Sequence, residues 1–405
     1  MTKNEIIDAA FRVWGRNFYK KTSLSQLACE LKVSKPALYR HFLSKEALTE
    51  AMIERFLDNF AESIRDDFQK SLQIDDADAG ISAIVGSISG FFAKNAYSLI
   101  FSLMNIYERN LDGQIIVQKL SSRGVDFTAI QTIIRKKYND DSNGNIVIVT
   151  LVRLIFATLT FLMSNFHRYK NALKTPLSDS DIEEITACIC DTVKRGLGYP
   201  CEKGTIDFDK LEQQIESTVP VFQAEPFFKA VAEAVAEAGP WGVTMEMVAK
   251  KLGLSKSSLY GHFKNKKDML RRLFVTEFKK IIEYTKRGIA QSENPTEQLY
   301  LGILSIAVYL RSRPEILIAM DWIRTRKLDL GKPDKNLEIF RLFEDININH
   351  LQITPEKKEQ ITSHWVLFLL LNILTHPDGS AAKVQNNSIR LLYRYIILGL
   401  GGFNK

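Results

Sequence analysis

The chain has 405 residues, too many for one ordinary hydrophobic core, so its length predicts two or more domains. Hydrophobic residues make up 45% and charged residues 25%, which is typical of a soluble globular protein and argues against a disordered or fibrous chain. The net charge is +7, and the four cysteines (Cys29, Cys188, Cys190 and Cys201) lack zinc-site spacing, so free thiols in a reducing cytosol are expected.

The N-terminal sequence "MTKNEIIDAA" has no apolar signal-peptide core. The most apolar run, residues 146–163, just reaches the length that spans a membrane, but it contains Arg153 and no second span or aromatic belt accompanies it. We therefore expect a buried core or interface helix in a cytoplasmic protein that has no membrane partner.

The first elements in chain order are helical. The stretch "EIIDAAFRVWGR" reads as a first helix, and Ser23 is a good N-cap for a second, with Gln26 placed to complete a capping box. The apolar residues of that second helix follow the spacing i, i+3, i+4, i+7 along one face: Leu24, Leu27, Ala28 and Leu31.

A third helix follows after a short turn. Leu38 and Phe42 have i, i+4 spacing, Ser34 can cap the helix, and Pro36 is tolerated in its first turn. Ser44 can then cap a longer helix through "KEALTEAMIERFLDNFAESI". The unit predicted is therefore a helix-turn-helix preceded by one helix and followed by another.

The same unit returns 221 positions later. "SKPALYRHF" at 34–42 becomes "SKSSLYGHF" at 255–263, and the apolar pattern of residues 6–48 matches that of 227–269 without a gap. Thr244, Ser255 and Asn265 supply the matching caps, although Met247 cannot complete a capping box. Gly253 suits a turn with positive φ, where Lys32 in the first copy predicts mild strain.

Weaker similarity continues beyond these units and gives the domain plan. Residues 93–104 resemble 311–322, and 193–199 resemble 396–403, so both halves follow one all-α plan of a three-helix head and a helical body. The predicted domains are a first head (1–56), a first body (57–200), a linker (201–221), a second head (222–280) and a second body (281–405). The apolar run at 146–163, the run at 361–374 and the two Gly-Leu-Gly ends are expected to pack together.

The basic charge lies in the two heads. Residues 1–56 contain 10 Lys and Arg against 6 Asp and Glu, and residues 222–280 contain 11 against 6, so the heads carry +4 and +5. The rest of the chain is slightly acidic. Positive charge confined to two helix-turn-helix units is the distribution that binding to DNA phosphates requires.

Residues 22–48 and 243–270 resemble the DNA-binding head of TetR-family bacterial transcription regulators, through the run S-K-x-x-L-Y-x-H-F followed by x-x-K. The resemblance implies a ligand-binding, dimerising helical body and two recognition helices about 34 Å apart on a two-fold operator. Here one chain carries both helices, as a covalent pseudo-dimer. Phe18 and Lys32 stand where the family favours glycine.

The resemblance also assigns site residues. Base-reading positions fall on Ser25, Lys35, Pro36, Ala37 and Tyr39, and on Glu246, Lys256, Ser257, Ser258 and Tyr260. Contacts with the DNA backbone fall on Ser23, His41 and Lys45, and on Thr244, His262 and Lys266. Ser34 and Ser255, as caps, and Arg40, which Gly261 opposes in the second copy, complete the candidate DNA-binding set. No metal ligand and no cofactor are expected.

The function expected from these features is a sequence-specific transcription regulator, a repressor released by a small-molecule effector, on an imperfectly palindromic operator. The two histidines have no ligand-spaced partner for a metal, and no catalytic motif appears, so an enzyme is not expected. Two alternatives remain open, an architectural DNA-binding protein without an effector and a four-headed homodimer. The sequence identifies neither the effector nor the operator.

Overall fold

The computed structural model describes residues 2–17, 23–107, 113–138, 144–198, 206–217, 225–320, 338–353, 358–375 and 382–403. Every regular element in these ranges is helical, in agreement with the predicted all-α fold. The chain divides into two compact units. The first contains Met1–Gly144 and Leu159–Val193; the second contains Asn145–Thr158 and the described residues from Lys194 onwards.

The described residues of the first half form ten helices. They are α1 (Lys3–Asn17), α2 (Leu24–Glu30), α3 (Lys35–Tyr39), α4 (Lys45–Ser71), α5 (Ala77–Lys94), α6 (Ala96–Tyr107), α7 (Gly113–Ser121), α8 (Thr128–Tyr138), α9 (Gly144–Lys170) and α10 (Asp179–Arg195). Helices α1 to α3 fall within the segment predicted to be the first head, and α4 spans the predicted boundary between head and body at residue 56.

The second half repeats the order after one additional helix. Its helices are α11 (Phe208–Ser217), α12 (Pro226–Gly242), α13 (Met245–Leu252), α14 (Lys256–His262), α15 (Lys266–Ile289), α16 (Pro295–Ser312), α17 (314–320), α18 (Lys358–Thr375) and α19 (Ala382–Leu398). Short 3-10 helices cover Glu338–Arg341 and Gly399–Phe403. Helices α12 to α14 form the second head, and α15 corresponds to α4.

The predicted caps begin the predicted helices. The Ser23 hydroxyl accepts from the amide of Gln26, and the Gln26 side chain accepts from the amide of Ser23 at 2.7 Å, which completes the capping box. Thr244 caps α13 without a box, as its sequence predicts. The remaining head caps are also the predicted residues: Ser34, Ser44, Ser255 and Asn265. Each cap satisfies backbone N–H groups that a helix start leaves without partners.

Equivalent residues fill the cores of the two heads. Leu27, Leu38 and Leu48 are fully buried in the first head, and their counterparts Val248, Leu259 and Met269 are fully buried in the second. Because burying such a side chain is worth about 1.5–3 kcal/mol, these positions fix the angle between the helices of each head. The nine repeated residues therefore contribute two side chains to each core, Leu38 and Phe42 or Leu259 and Phe263, and leave most of the others on the surface.

Helix α9 is divided between the two units. Within the second unit, the indole N–H of Trp365 on α18 donates to the Thr158 hydroxyl at 3.2 Å, and the Tyr395 hydroxyl on α19 donates to the same oxygen at 3.1 Å. The Arg153 guanidinium donates to the carbonyl oxygen of Asn372 at 2.7 Å. The first half of α9 thus packs with α18 and α19, which joins the two apolar runs that the sequence pairs.

Part of α9 is apolar enough to cross a membrane. The stretch Val147–Lys170 is long enough to cross a membrane, but most of it is buried inside the protein, as is usual for a core helix. Helices α5 and α6 together reach such a length only across a bend of 106°. Among the described residues, these findings give no reason to place the chain in a bilayer.

Helix α11 lies in the segment predicted to be a linker and is packed firmly within the second unit. Its Glu212 side chain accepts hydrogen bonds from the Tyr300 hydroxyl at 2.6 Å and from the Arg390 guanidinium at 2.6 and 2.8 Å. Burial raises the pKa of Glu212, but these donors outweigh it, so the carboxyl pKa lies below its ordinary value. Phe208 packs edge-on against Tyr300, with ring centroids 4.8 Å apart, and completes the docking of α11.

Candidate nucleic-acid interface

The turn between the second and third helices has the same backbone path in both heads. Lys32 has φ of +54° and Gly253 has φ of +66°, so both residues occupy the left-handed region. The next amide closes each turn, with Val33 donating to the carbonyl of Ala28 at 3.0 Å and Leu254 donating to that of Ala249 at 2.9 Å. The predicted strain at Lys32 is therefore present, and it lies directly before the recognition helix.

The first recognition helix, α3, presents a nearly continuous exposed surface. The Ser34 hydroxyl caps it by accepting from the amide of Ala37 at 3.3 Å, and Pro36 occupies the first turn, where its missing N–H costs nothing. Leu38 is fully buried and anchors the helix to the core. The other predicted contact residues on this segment are exposed, apart from the half-buried Ala37.

Two lysines of the first head lie over aromatic rings. The Lys35 ammonium stands 5.7 Å from the centre of the Tyr39 ring, and Tyr39 remains 37% exposed. The Lys45 ammonium lies 5.9 Å from the centre of the Trp14 ring, which holds the first residue of α4 close to the head. Such contacts are worth about 0.5–1 kcal/mol at exposed sites, so they orient the lysines without neutralising their charge.

The second recognition helix, α14, has a different polar surface on the same scaffold. Its cap, Ser255, accepts from the amide of Ser258 at 3.1 Å. The same hydroxyl oxygen lies 2.9 Å from the Ser257 hydroxyl and 2.8 Å from the Ser258 hydroxyl. The three hydroxyls thus form a cluster where the first head has Pro36 and Ala37, so the second head offers hydrogen bonds where the first offers apolar contact.

A carboxylate lies beside the second recognition lysine. Glu246 on α13 places a carboxylate oxygen 3.7 Å from the Lys256 ammonium, and both side chains are largely exposed. The equivalent residue in the first head is Ser25, which carries no charge. Tyr260, one turn after Lys256 on α14, is 47% exposed. The second head therefore has a weaker local positive charge at a position where the sequence resemblance predicts base contact.

In the second head, His262, one of the residues predicted to contact the DNA backbone, packs against neighbouring side chains. The rings of His262 and Phe227 pack with centroids 4.6 Å apart, and the Arg272 guanidinium donates to the carbonyl oxygen of His262 at 3.3 Å. Lys266 begins α15, and burial lowers the pKa of its ammonium. Asp268 accepts from the amide of Lys264 at 3.1 Å, which fixes the turn into α15.

Within each head the predicted residues lie at the start of a helix, on the recognition helix or, like Arg40 and His41 in the first head, in the turn directly after it. Lys45 and Lys266 are half-buried, and most of the rest are exposed. Two further exposed cations, Lys264 and Lys267, lie at the same edge of the second head and were not predicted; the run "KNKKD" was the available signal. The first-head counterpart of Lys264 is Leu43, which is 86% exposed. Phe18 lies outside the described residues.

The described residues also bear on two other kinds of chemistry, a metal site and reactive thiols. No group of three or more His, Cys, Asp or Glu side chains there could hold a metal ion. Burial raises the pKa of the Cys188 and Cys190 thiols to about 11, which keeps them protonated and unreactive at neutral pH.

A three-helix head with a capped, exposed third helix and a basic edge defines the helix-turn-helix class of DNA-binding domain, present here twice. A family model described as "Bacterial regulatory proteins, tetR family" matches residues 6–52 and again residues 228–273. The chain thus carries two TetR-family DNA-binding domains in tandem, as the sequence resemblance implies.

Two further comparisons add little. The crystal structure of a TetR family transcriptional regulator, PfmR from Thermus thermophilus, is similar at 18% identity over 46% of this chain and 95% of that chain, with a TM-score of 0.32. That score carries no argument about the fold, so the similarity to the TetR family rests on the two matched segments. No curated protein matched the chain.

Proposed function

We propose that the protein is a sequence-specific transcription regulator whose two heads read the two halves of one imperfectly palindromic operator. The observation that carries the proposal is the pair of recognition surfaces, which share one scaffold and differ in side-chain chemistry. Pro36, Ala37 and Arg40 oppose Ser257, Ser258 and Gly261. Each such difference changes base preference by about 1–3 kcal/mol where the side chain reaches a base edge.

We propose further that one chain serves one operator. The support lies in the contacts of Thr158 with Trp365 and Tyr395, since helices from both halves of the sequence are already packed together in the second unit. The Leu197 amide also donates to the carbonyl of Ile396 at 2.8 Å, which brings the two Gly-Leu-Gly ends together. These contacts occupy apolar surface that a two-chain regulator would use for pairing.

The regulator acts as a repressor that a small molecule releases, in our proposal, and it works in the cytoplasm, where bacterial DNA lies. The family resemblance supports this reading. The first unit also contains an aromatic body core in which Phe56, Phe60, Phe91 and Phe92 pack with ring centroids 5.0 to 6.4 Å apart. An effector that enters this unit would have to displace rings from one another, so an apolar, aromatic compound is the chemistry to screen first.

Selection of bound DNA from a random pool tests the proposal directly. The full chain should return a site with two unequal half-sites, and the same selection with candidate effectors should return less DNA. A first-head variant, Lys35→Ala with Tyr39→Ala, should keep only the half-site of the second head. Its matched variant, Lys256→Ala with Tyr260→Ala, should keep only the other. A perfectly symmetrical site would contradict asymmetric reading, and sequence-independent binding would favour an architectural protein.

A further inference from the structure

The two heads have nearly equal charge, but the charge lies at different places in each. Residues 1–56 carry +4 and residues 222–280 carry +5. The recognition helix of each head is followed by nine residues that lead into α4 or α15. They are residues 43–51 in the first head and 264–272 in the second. We name these stretches the first and the second edge segment.

The edge segments have opposite charge. The second, "KNKKDMLRR", has five basic residues and one acidic residue, so its charge is +4. The first, "LSKEALTEA", has one basic and two acidic residues, so its charge is −1. The exposed charged residues are Lys264, Lys267, Arg271 and Arg272 in the second segment and Glu46 and Glu50 in the first.

The recognition surfaces differ in the other direction. In the first head, Lys35 and Arg40 are exposed, and the nearby position on α2 is the uncharged Ser25. In the second head, Lys256 is the one Lys or Arg of α14, and the Glu246 carboxylate lies 3.7 Å from its ammonium. The first recognition surface therefore has a charge of +2, whereas the charges of the second cancel.

Contacts within the second head join its edge segment to the recognition helix. The Arg272 guanidinium donates to the carbonyl oxygen of His262 at 3.3 Å and lies 5.6 Å from the centre of the Phe263 ring. The acid of the segment, Asp268, accepts from the Lys264 amide at 3.1 Å and from Arg272 at 3.3 Å. Asp268 therefore holds the turn and Arg272 in place, and the remaining cations stay available on the surface.

The first head has no such cationic edge. At the counterpart of Lys264 stands Leu43, which is 86% exposed, and at the counterpart of Lys267 stands Glu46. The backbone amide of Glu46 and the hydroxyl of Ser44 hold the pKa of the Glu46 carboxyl below its usual range, so it is ionised at neutral pH. A charged carboxylate at this position repels phosphate, so the first edge segment is a poor phosphate ligand.

We propose that the two heads do different work on DNA: the second is a phosphate anchor that acts through Lys264 and Lys267, and the first supplies most of the base discrimination. Phosphate contacts fix a head on the duplex without reading sequence, whereas base contacts specify it. The inference rests on the proposed function and divides its tasks between the heads. Identical heads could not divide them, but the fused repeats are free to differ.

DNA phosphate, rather than an acidic protein, is the partner that the position of these cations favours. Arg272 lies directly against the end of the recognition helix, and Lys266, a predicted phosphate contact, stands between Lys264 and Lys267 in the sequence. The cations thus continue the proposed DNA surface of their own head. We therefore expect a well-defined half-site under the first head and a degenerate one under the second.

Exchanging the two edge residues between the heads tests the anchor. Lys264→Leu with Lys267→Glu gives the second head the first head's residues, and Leu43→Lys with Glu46→Lys does the reverse. The full chain is titrated with its selected site and with a random-sequence duplex of equal length, at several salt concentrations. The first exchange should weaken binding to both duplexes about tenfold or more and flatten the salt dependence by about two counterions. The reverse exchange should strengthen binding to both.

A matched control separates the edge from total charge. Lys286→Leu with Arg287→Glu makes the same change of charge on the same helix, about 30 Å from the edge at 1.5 Å per residue. It should change affinity less than about twofold. All six altered positions are exposed, and each residue introduced at the edge already stands at the equivalent position of the other head, so the variants should fold. Circular dichroism checks this.

Single substitutions test which head reads bases. Lys35→Ala should lower the ratio of affinities for the selected and random duplexes about tenfold, whereas Lys256→Ala should lower it less than about threefold. Equal losses from these two variants, or an edge exchange that acts like the control, would overturn the division of work and leave the proposed function standing. A natural chain that prefers no DNA sequence would overturn the proposed function and this inference with it.

Discussion

Gly196, after the end of α10, lies against the carbonyl oxygen of Ile396 on α19 with no space for a side chain. A β-carbon at Gly196 would overlap that oxygen and would also come within 2.7 Å of the Tyr395 carbonyl oxygen and the Gly399 amide nitrogen. All three obstacles are backbone atoms, which cannot rotate away. The residue also has φ of +60°, so two independent constraints require glycine at this position.

Gly196→Ala should therefore lower the free energy of unfolding by about 3 kcal/mol or more, from overlap and left-handed strain together. Gly198→Ala is the matched control. Gly198 also has positive φ, at +65°, but a β-carbon there meets nothing within 4 Å, so only about 1 kcal/mol should be lost. Urea denaturation of both variants checks the difference, and equal losses would show that the close approach does not matter.

Lys32→Gly should stabilise the first head by about 1 kcal/mol, because it removes left-handed strain at a residue with φ of +54°. Gly253→Lys should destabilise the second head by a similar amount, since a β-carbon there has open space and only the backbone resists. Native-state hydrogen exchange of the amides in α2 and α13 measures each head separately. Lys32→Ala, which removes the charge but keeps the strain, should give no gain.

Glu246→Gln should strengthen DNA binding and steepen the dependence of affinity on salt by about one counterion, because Lys256 is then free to pair with phosphate. Ser25→Glu should have the opposite effect in the first head. Binding titrations at several salt concentrations measure both slopes, with Glu237→Gln as a control for an acidic residue that pairs with Lys251 instead. Weaker binding confined to one cytosine-containing site would show that Glu246 accepts from a base.

Lys45→Ala and Lys266→Ala should each weaken binding to all DNA sequences alike and flatten the salt dependence by about one counterion. Both residues begin the helix that follows a recognition helix, which is where a phosphate contact is expected. Lys70→Ala is the matched control, since it lies at the far end of α4 with 80% of its side chain exposed. A loss limited to one operator would mean that these lysines read bases.

His167 should make the first unit less stable in acid. Burial lowers its pKa to about 4, although a hydrogen bond with the Ala93 backbone acts to raise it. The unfolded chain, with a pKa near 6.5, then binds more protons, so stability is complete above about pH 6.5 and is lost as the pH falls towards 4. About 1 kcal/mol should be lost at about pH 5.5. Urea midpoints at about pH 7.5 and 5.5 measure this, and His167→Gln should remove the histidine's share of the difference.

Local features of this fold were predictable because they depend on neighbouring residues. The capping box of Ser23 and Gln26 and the strained turn at Lys32 follow from side chains within a few positions of each other. Because the sequence repeats, a role predicted for a residue in one head also predicts the role of its counterpart in the other. The cap at Ser255, for example, follows from the cap at Ser34. The core positions followed from helical spacing alone, and they are buried in both heads.

Contacts between helices are harder to predict from the sequence. The Glu246 and Lys256 pair depends on the distance between two helices, which no spacing rule gives. The segment around α11 predicts a linker with one short helix, because glycine and proline stand at its ends and polar residues lie within it. Its apolar line of Phe208, Leu211 and Ile215 was nevertheless a usable signal of docking. Glu212 lies next to that apolar line and is buried. Its carboxylate accepts a hydrogen bond from Arg390, which lies 178 residues away in the sequence, so no local pattern predicts the pair.

The shared helix α9 also affects how the chain is made. Thr158 and its partner Tyr395 are separated by 237 residues, so the ribosome completes α9 long before α19 exists. At about 5–20 residues per second, synthesis of that interval takes roughly 12–50 s. During this time the apolar first half of α9 lacks its final neighbours. We therefore expect chaperones to bind the nascent chain at this exposed apolar helix until translation ends.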